Sequence, residues 1–250
     1  MNTRQFITVV LGLALSAGAW AAQPADPQAA PPNPAGAPAQ SEADINMRVD
    51  DLVGRHYMDG IPYPVANALG PAALPHLFEL LGNADQKPFW VNIIVTIGFI
   101  EDAAAIGPLV SFLEKTPGEV DHFTFRALLS VPYSLGCIAA GGDNVSLAYL
   151  TGNIQASQSR ALGWSFQGKP AAELIAEQSV MALAVSGRPE ARNLLLDLQG
   201  RLAQATGPQT SAVRSDNVDQ GLAIMDRIAS EGRAAILNPR RGNGKGGRNE

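Results

Sequence analysis

The chain is poor in the residues from which catalytic and metal sites are built. A single cysteine among 250 residues, Cys137, excludes an intramolecular disulfide, so the fold must rest on its apolar core. Cys137 lies in the apolar run Ser134–Ala140 with no His or Lys close in sequence, which reads as a small buried hydrophobe and an inert thiol. Histidine is almost as scarce, at three. His76 and Glu79 have the i, i+3 spacing of two ligands on one helix face, but a metal site needs three or four, so no metal is expected. The acid pairs Asp50-Asp51 and Glu101-Asp102 fall at helix-surface or helix-start positions, where carboxylates are ordinary. No Gly-x-Ser-x-Gly, phosphate loop or dinucleotide fingerprint is present, so neither catalytic residues nor a cofactor are expected. The formal net charge of −5 excludes a nucleic-acid-binding body.

What is present starts with the ends. Residues 1–21 read as a secretory signal peptide: Arg4, an apolar run over 6–17, and Ala19-Trp20-Ala21 before the cut. The run is shorter than the roughly 20 apolar residues a membrane span requires. Loss of Arg4 takes the charge from −5 to −6. The expected location is periplasmic or secreted. Residues 22–40 are proline and alanine with little to bury, which predicts a disordered tether. Residues 238–250 are rich in glycine and arginine and predict a second disordered tail. Its Arg240, Arg241, Lys245 and Arg248 would touch an anionic surface only weakly in salt. The folded domain is therefore 41–237.

Within it the chain repeats itself. Pro75, Phe78–Leu80 and Trp90 recur 33 residues later as Pro108, Ser111–Leu113 and Phe123. A period of that size marks helical units that bury their apolar faces only by stacking on one another. Ser41 with Asp44 forms a helix start, and Ile45, Val49, Leu52 and Val53 follow at helical spacing. Leu74, Leu77, Leu80 and Leu81 predict a helix over 71–81. Over 90–100 the β-branched residues favour a strand, whereas the repeat context favours a helix. Pro132 predicts a kink or break in the helix over 123–140. An irregular insertion is expected over 151–169, followed by helices over 171–185 and 191–205 and a closing helix from about Ser215.

Pro75-His-Leu, Pro108-Leu-Val, the junction Ile97-Gly-Phe-Ile-Glu-Asp-Ala103 and the corner Ser186-Gly-Arg-Pro-Glu-Ala191 give the chain a resemblance. Over roughly residues 67–200 it resembles HEAT-repeat proteins, including the short bacterial type related to phycobilin-lyase-like repeats. The resemblance implies an all-α fold, a short α-solenoid of HEAT-like helical hairpins, with a small residue ending one helix and an acid opening the next. Pro132 and the 151–169 insertion depart from that pattern.

Inner helices of such an array would line a groove for an extended peptide or a partner helix. Asn92 and Thr96 share one face there, with Phe125 and Leu129 as their counterparts 33 residues on and Tyr133 nearby; core burial is the plainer reading of Phe125 and Leu129. Trp164 and Phe166, on a Gly/Ser/Gln loop, are either exposed anchors for a partner or rings that pin the loop. The expectation is a non-catalytic, exported protein–protein interaction scaffold that takes a protein or peptide in the cell envelope. The alternative is a scaffold-type enzyme or lyase acting on a cofactor or cell-wall fragment, with a deep polar pocket near Asp102 or Asp143.

Overall fold

A computed structural model describes residues 41–155, 162–204 and 213–237, and the structure is mostly helical. The segments read above as signal peptide, proline-rich tether and basic tail, and part of the 151–169 insertion, lie outside these residues. Helix α1 (Glu42–Val53) starts at Ser41, whose hydroxyl accepts the Asp44 N–H as the sequence predicts. A short α2 (Tyr63–Asn67) follows.

Four consecutive helix pairs make up the body. The first is α3 (Leu74–Gly82), entered through a 3₁₀ turn at Pro71–Ala73, with α4 (Trp90–Ile100). Then come α5 (Ile106–Lys115) with α6 (His122–Ala140), and α7 (Asn144–Gln155) with α8 (Ala171–Ser186). Last are α9 (Pro189–Gln204) and α10 (Ser215–Glu231), trailed by the one-turn α11 (Arg233–Leu237). The second members pack in series: α4 on α6, α6 on α8, α8 on α10. The closing helix is thus the second half of a fourth pair.

Tertiary burial decides the local ambiguities. Residues 90–100 are helical although β-branched, because Ile93, Ile94 and Ile97 are all fully buried by the neighbouring helices. Of the kink or break expected at Pro132, the break does not occur: α6 runs unbroken from His122 to Ala140. Pro132 forfeits the bond to the Leu128 carbonyl, but packing of α6 between α4 and α8 holds the helix through it, and Ser134 Oγ donates to Ile94 O at 2.8 Å.

The glycines also act differently from the reading at the corners. Gly187 closes α8 in the left-handed region (φ 65°) as expected. Gly98, in contrast, lies inside α4, and Glu101 takes the left-handed exit (φ 61°). Gly98 is where α4 touches α6: a methyl there would fall 2.5 Å from Ser134 Cβ. Gly136 does the same between α6 and α8, where a methyl would fall 2.3 Å from the Ala182 carbonyl oxygen.

The insertion is less irregular than its sequence. Strands β1 (Gly118–Glu119), β2 (Trp164–Phe166) and β3 (Lys169–Pro170) form a small sheet, β1 parallel and β3 antiparallel to β2. Glu119 fixes the β2–β3 turn by accepting from Ser165 Oγ and the Gln167 N–H.

Candidate functional site

The seven residues expected to bind fall in several places, most of them inward. Asn92 is half-buried and donates through Nδ2 to the Val53 and Arg55 carbonyls at 2.8 and 2.9 Å, closing the end of α1. Thr96 is fully buried and its hydroxyl has no hydrogen-bond partner. Leu129 packs on the core, and Phe125 is buried face to face with Phe166, ring centroids 3.8 Å apart. Trp164 is 2% exposed and donates to the Leu113 carbonyl at 3.1 Å, so it pins the loop to α5. Tyr133 belongs to a polar cluster at the other end of the helices. The groove stripe and the outward aromatic loop anchor are therefore not what these side chains form. An orphaned buried hydroxyl costs about 1–3 kcal/mol. Thr96→Val is accordingly expected to raise the unfolding free energy by about 1 kcal/mol, read from urea denaturation.

The polar cluster gathers the C-terminal ends of α4, α6 and α8 around Arg233. Its guanidinium pairs with Glu101, donates to the Val185 carbonyl at 3.2 Å and the Cys137 carbonyl at 3.4 Å, and lies 5.8 Å from the Tyr63 ring centroid. A cation there faces the negative ends of three helix dipoles. Glu101 is held from two sides, since Tyr63 also donates to it at 3.0 Å. Burial pushes the Tyr133 hydroxyl well above its usual range and the Cys137 thiol up to about 12, so the thiol is neutral and unreactive at neutral pH. This is a structural clasp between segments 132 residues apart. No sequence signal marks it.

Aromatic rings collect at the opposite end, where α4 and α6 begin. His56 lies against Phe89 (centroids 6.0 Å), Trp90 is edge-on to Phe112 (5.2 Å), and His122 sits against Phe123 (4.0 Å). Lys87 lies 5.6 Å from the Trp90 ring centroid and bonds Asp121 at 2.8 Å, tying the two helix starts together. Phe123 is 39% exposed, His56 and His122 are exposed, and Phe89 and Trp90 are half-buried. In a chain with only 6% aromatics, this rim is an uneven concentration. Trp90 and Phe123 were legible as repeat markers, and the repeat is what sets them side by side.

Asp121 caps α6 by accepting the Phe123 and Thr124 N–H groups. The Lys87 bond first, and the Thr124 N–H second, hold its carboxyl down at about 2. A depressed folded value adds stability above the unfolded value near 4, and that stability is lost as pH falls through about 2. Wild type is therefore expected to be more stable than Asp121→Asn at pH 6. The gap should close between pH 4 and 2 in thermal melts.

His76 contacts Asp50 at 2.8 Å and Glu79 at 3.6 Å and joins α1 to α3. Asp102 accepts the Ala104 N–H and Asp143 the Ser146 N–H, so both serve as turn and helix caps. Among the described residues no group of three His, Cys, Asp or Glu is placed to hold a metal. Compared with protein-family models, curated proteins and solved structures, the chain matches none.

Proposed function

We propose that the protein is an exported, non-catalytic interaction scaffold, a short HEAT-like α-solenoid that takes a protein or peptide partner in the cell envelope. The serial packing of α4, α6, α8 and α10 supports the solenoid reading, since each pair hides its apolar face on the next. The observation that carries the binding reading is the rim. Partly exposed Trp and Phe side chains are the residue types enriched at protein interfaces, and here Phe89, Trp90 and Phe123 line one edge of two neighbouring helices. The binding surface on this reading is the helix-start edge, in place of the groove face through Asn92 and Thr96. The enzyme alternative rests on Asp102 and Asp143, which here serve as caps.

The test is site-specific photo-crosslinking in the cell envelope. A crosslinker at Phe123 is expected to give a discrete adduct that Trp90→Ala weakens. The same group at Leu196, also exposed but on α9, should give none. Equal labelling at both sites, or none at either, would refute the rim as the contact surface.

A further inference from the structure

We propose that the pocket around Arg233 is a binding site in its own right, which α11 fills as an internal ligand. The external ligand it takes in exchange is a short helical segment of a partner, carrying an arginine and, four residues on, a leucine. The site lies at the opposite end of α4 and α6 from the aromatic rim, so the proposal goes beyond the rim reading and does not depend on it.

The receptor is complete without α11. Its parts are the Glu101 carboxylate at the exit of α4, the Cys137 carbonyl in the last turn of α6, the Val185 carbonyl at the end of α8 and the Tyr63 ring on α2. All of them precede α10 in the chain. Both carbonyls belong to the last four of their helices, which helical hydrogen bonding leaves open to an outside donor. The carboxylate and the two carbonyls accept in separate directions, with an aromatic ring close by. A planar, forked guanidinium answers all of these at once, whereas an ammonium is a single point of charge. Exchange of one guanidinium for another also keeps Glu101 paired, so no half-buried charge is stranded.

The segment α11 is built as a ligand is. In Arg-Ala-Ala-Ile-Leu the first and last side chains, Arg233 and Leu237, turn to the body, while Ala234 and Ala235 are exposed. Anchors at i and i+4 are how a helical turn seats in a groove. Its hold is slight. Five residues are far below the length at which a helix persists alone, and Arg233 is the one side chain of the five that can hydrogen-bond. Gly232 joins α11 to α10 at φ 82° with open space around it, a swivel that glycine adopts without strain.

The probe is the acetylated, amidated pentapeptide Arg-Ala-Ala-Ile-Leu, a copy of 233–237. Because it must be ordered on binding, its expected dissociation constant is on the order of 1 mM. In full-length Arg233→Ala/Leu237→Ala, which vacates both anchor positions, about 10 mM peptide should raise the calorimetric melting temperature by about 4 °C. The peptide with lysine for arginine should give about 1 °C. In the intact pocket α11 competes. At a closed-to-open ratio of about 100, the same peptide should raise the open fraction from roughly 1% to roughly 10%. A nitroxide on Ala235→Cys, in a Cys137→Ala background that leaves the residue 137 carbonyl in place, reads that fraction as a mobile spectral component. Ala235 is exposed, so the label stays clear of the pocket. Equal responses to the arginine and lysine peptides, or no mobile component at about 10 mM peptide, would overturn the proposal. So would a mobile fraction that changes with protein concentration, which would seat α11 of one copy on another. Should the double variant fail to fold, the nitroxide measurement decides alone.

Discussion

Replacing Gly136 by valine is expected to be among the most damaging single changes the domain can suffer. Even the first added carbon would sit 2.3 Å from the Ala182 carbonyl oxygen, 2.9 Å from its carbon and 3.0 Å from its Cα. These are backbone atoms of α8, a helix buried along most of its length, and they cannot turn aside as a flexible side chain would. Helix propensity works the other way, favouring alanine over glycine by about 1 kcal/mol. Overpacking costs about 1–3 kcal/mol and more against backbone, so the clash wins. Gly136→Ala should lose about 2 kcal/mol net and Gly136→Val about 4 kcal/mol. At about 2–4 °C per kcal/mol for a domain of this size, the valine variant should melt roughly 10 °C lower by circular dichroism. Gly200→Ala in α9, which meets nothing within 4 Å, is the control and should stabilise slightly. Equal melting of the Gly136 variants and wild type would show that α6 and α8 do not touch as described.

Removing the clasp is the second large effect. Arg233 and Glu101 are only 17% and 19% exposed in their side chains, and each neutralises the other. Breaking a fully buried pair from one side costs about 3–5 kcal/mol. The residual exposure reduces this, so Arg233→Met and Glu101→Gln should each cost about 2–3 kcal/mol. The double variant should cost less than the sum by more than 1 kcal/mol, because neither leaves the other's charge stranded. Arg233→Lys should rescue only in part, since one ammonium cannot reach Glu101 and the Val185 and Cys137 carbonyls in the directions the guanidinium does. Additive losses in urea titrations would show that the two residues act separately. Glu101 also holds a left-handed conformation that costs a non-glycine residue about 1–2 kcal/mol, which the clasp offsets.

The helix pairs were readable because their cause is local. Leucine spacing in α3 and the Ser41 cap of α1 each involve residues within a turn or two, where sequence pattern and structure are nearly the same statement. The strand alternative for 90–100 could be rejected only through the 33-residue repeat, a weaker and longer-range signal. Of the two outcomes expected at Pro132, a kink or a break, the break does not occur, because the proline rule describes an isolated helix. In α6 the flanking helices supply what the lost hydrogen bond takes away.

The candidate site was legible in pieces without their arrangement. Trp90 and Phe123 stood out as a repeated pair, but nothing in the chain announced that His56, Lys87 and Asp121 would join them. For Trp164 the sequence left two readings, an exposed anchor or a ring that pins its loop, and the second holds because its neighbour in space is the Leu113 carbonyl, 51 residues away.

By itself the sequence determined the helical class, the repeat period, the inert cysteine and the cap at Ser41, because periodicity and capping are short-range physics. Only the tertiary structure decided which glycines are contact points, that Arg233 closes three helix ends, and that Trp164 points inward. Those outcomes depend on distances between residues far apart in the chain, and such distances are fixed by how whole helices pack.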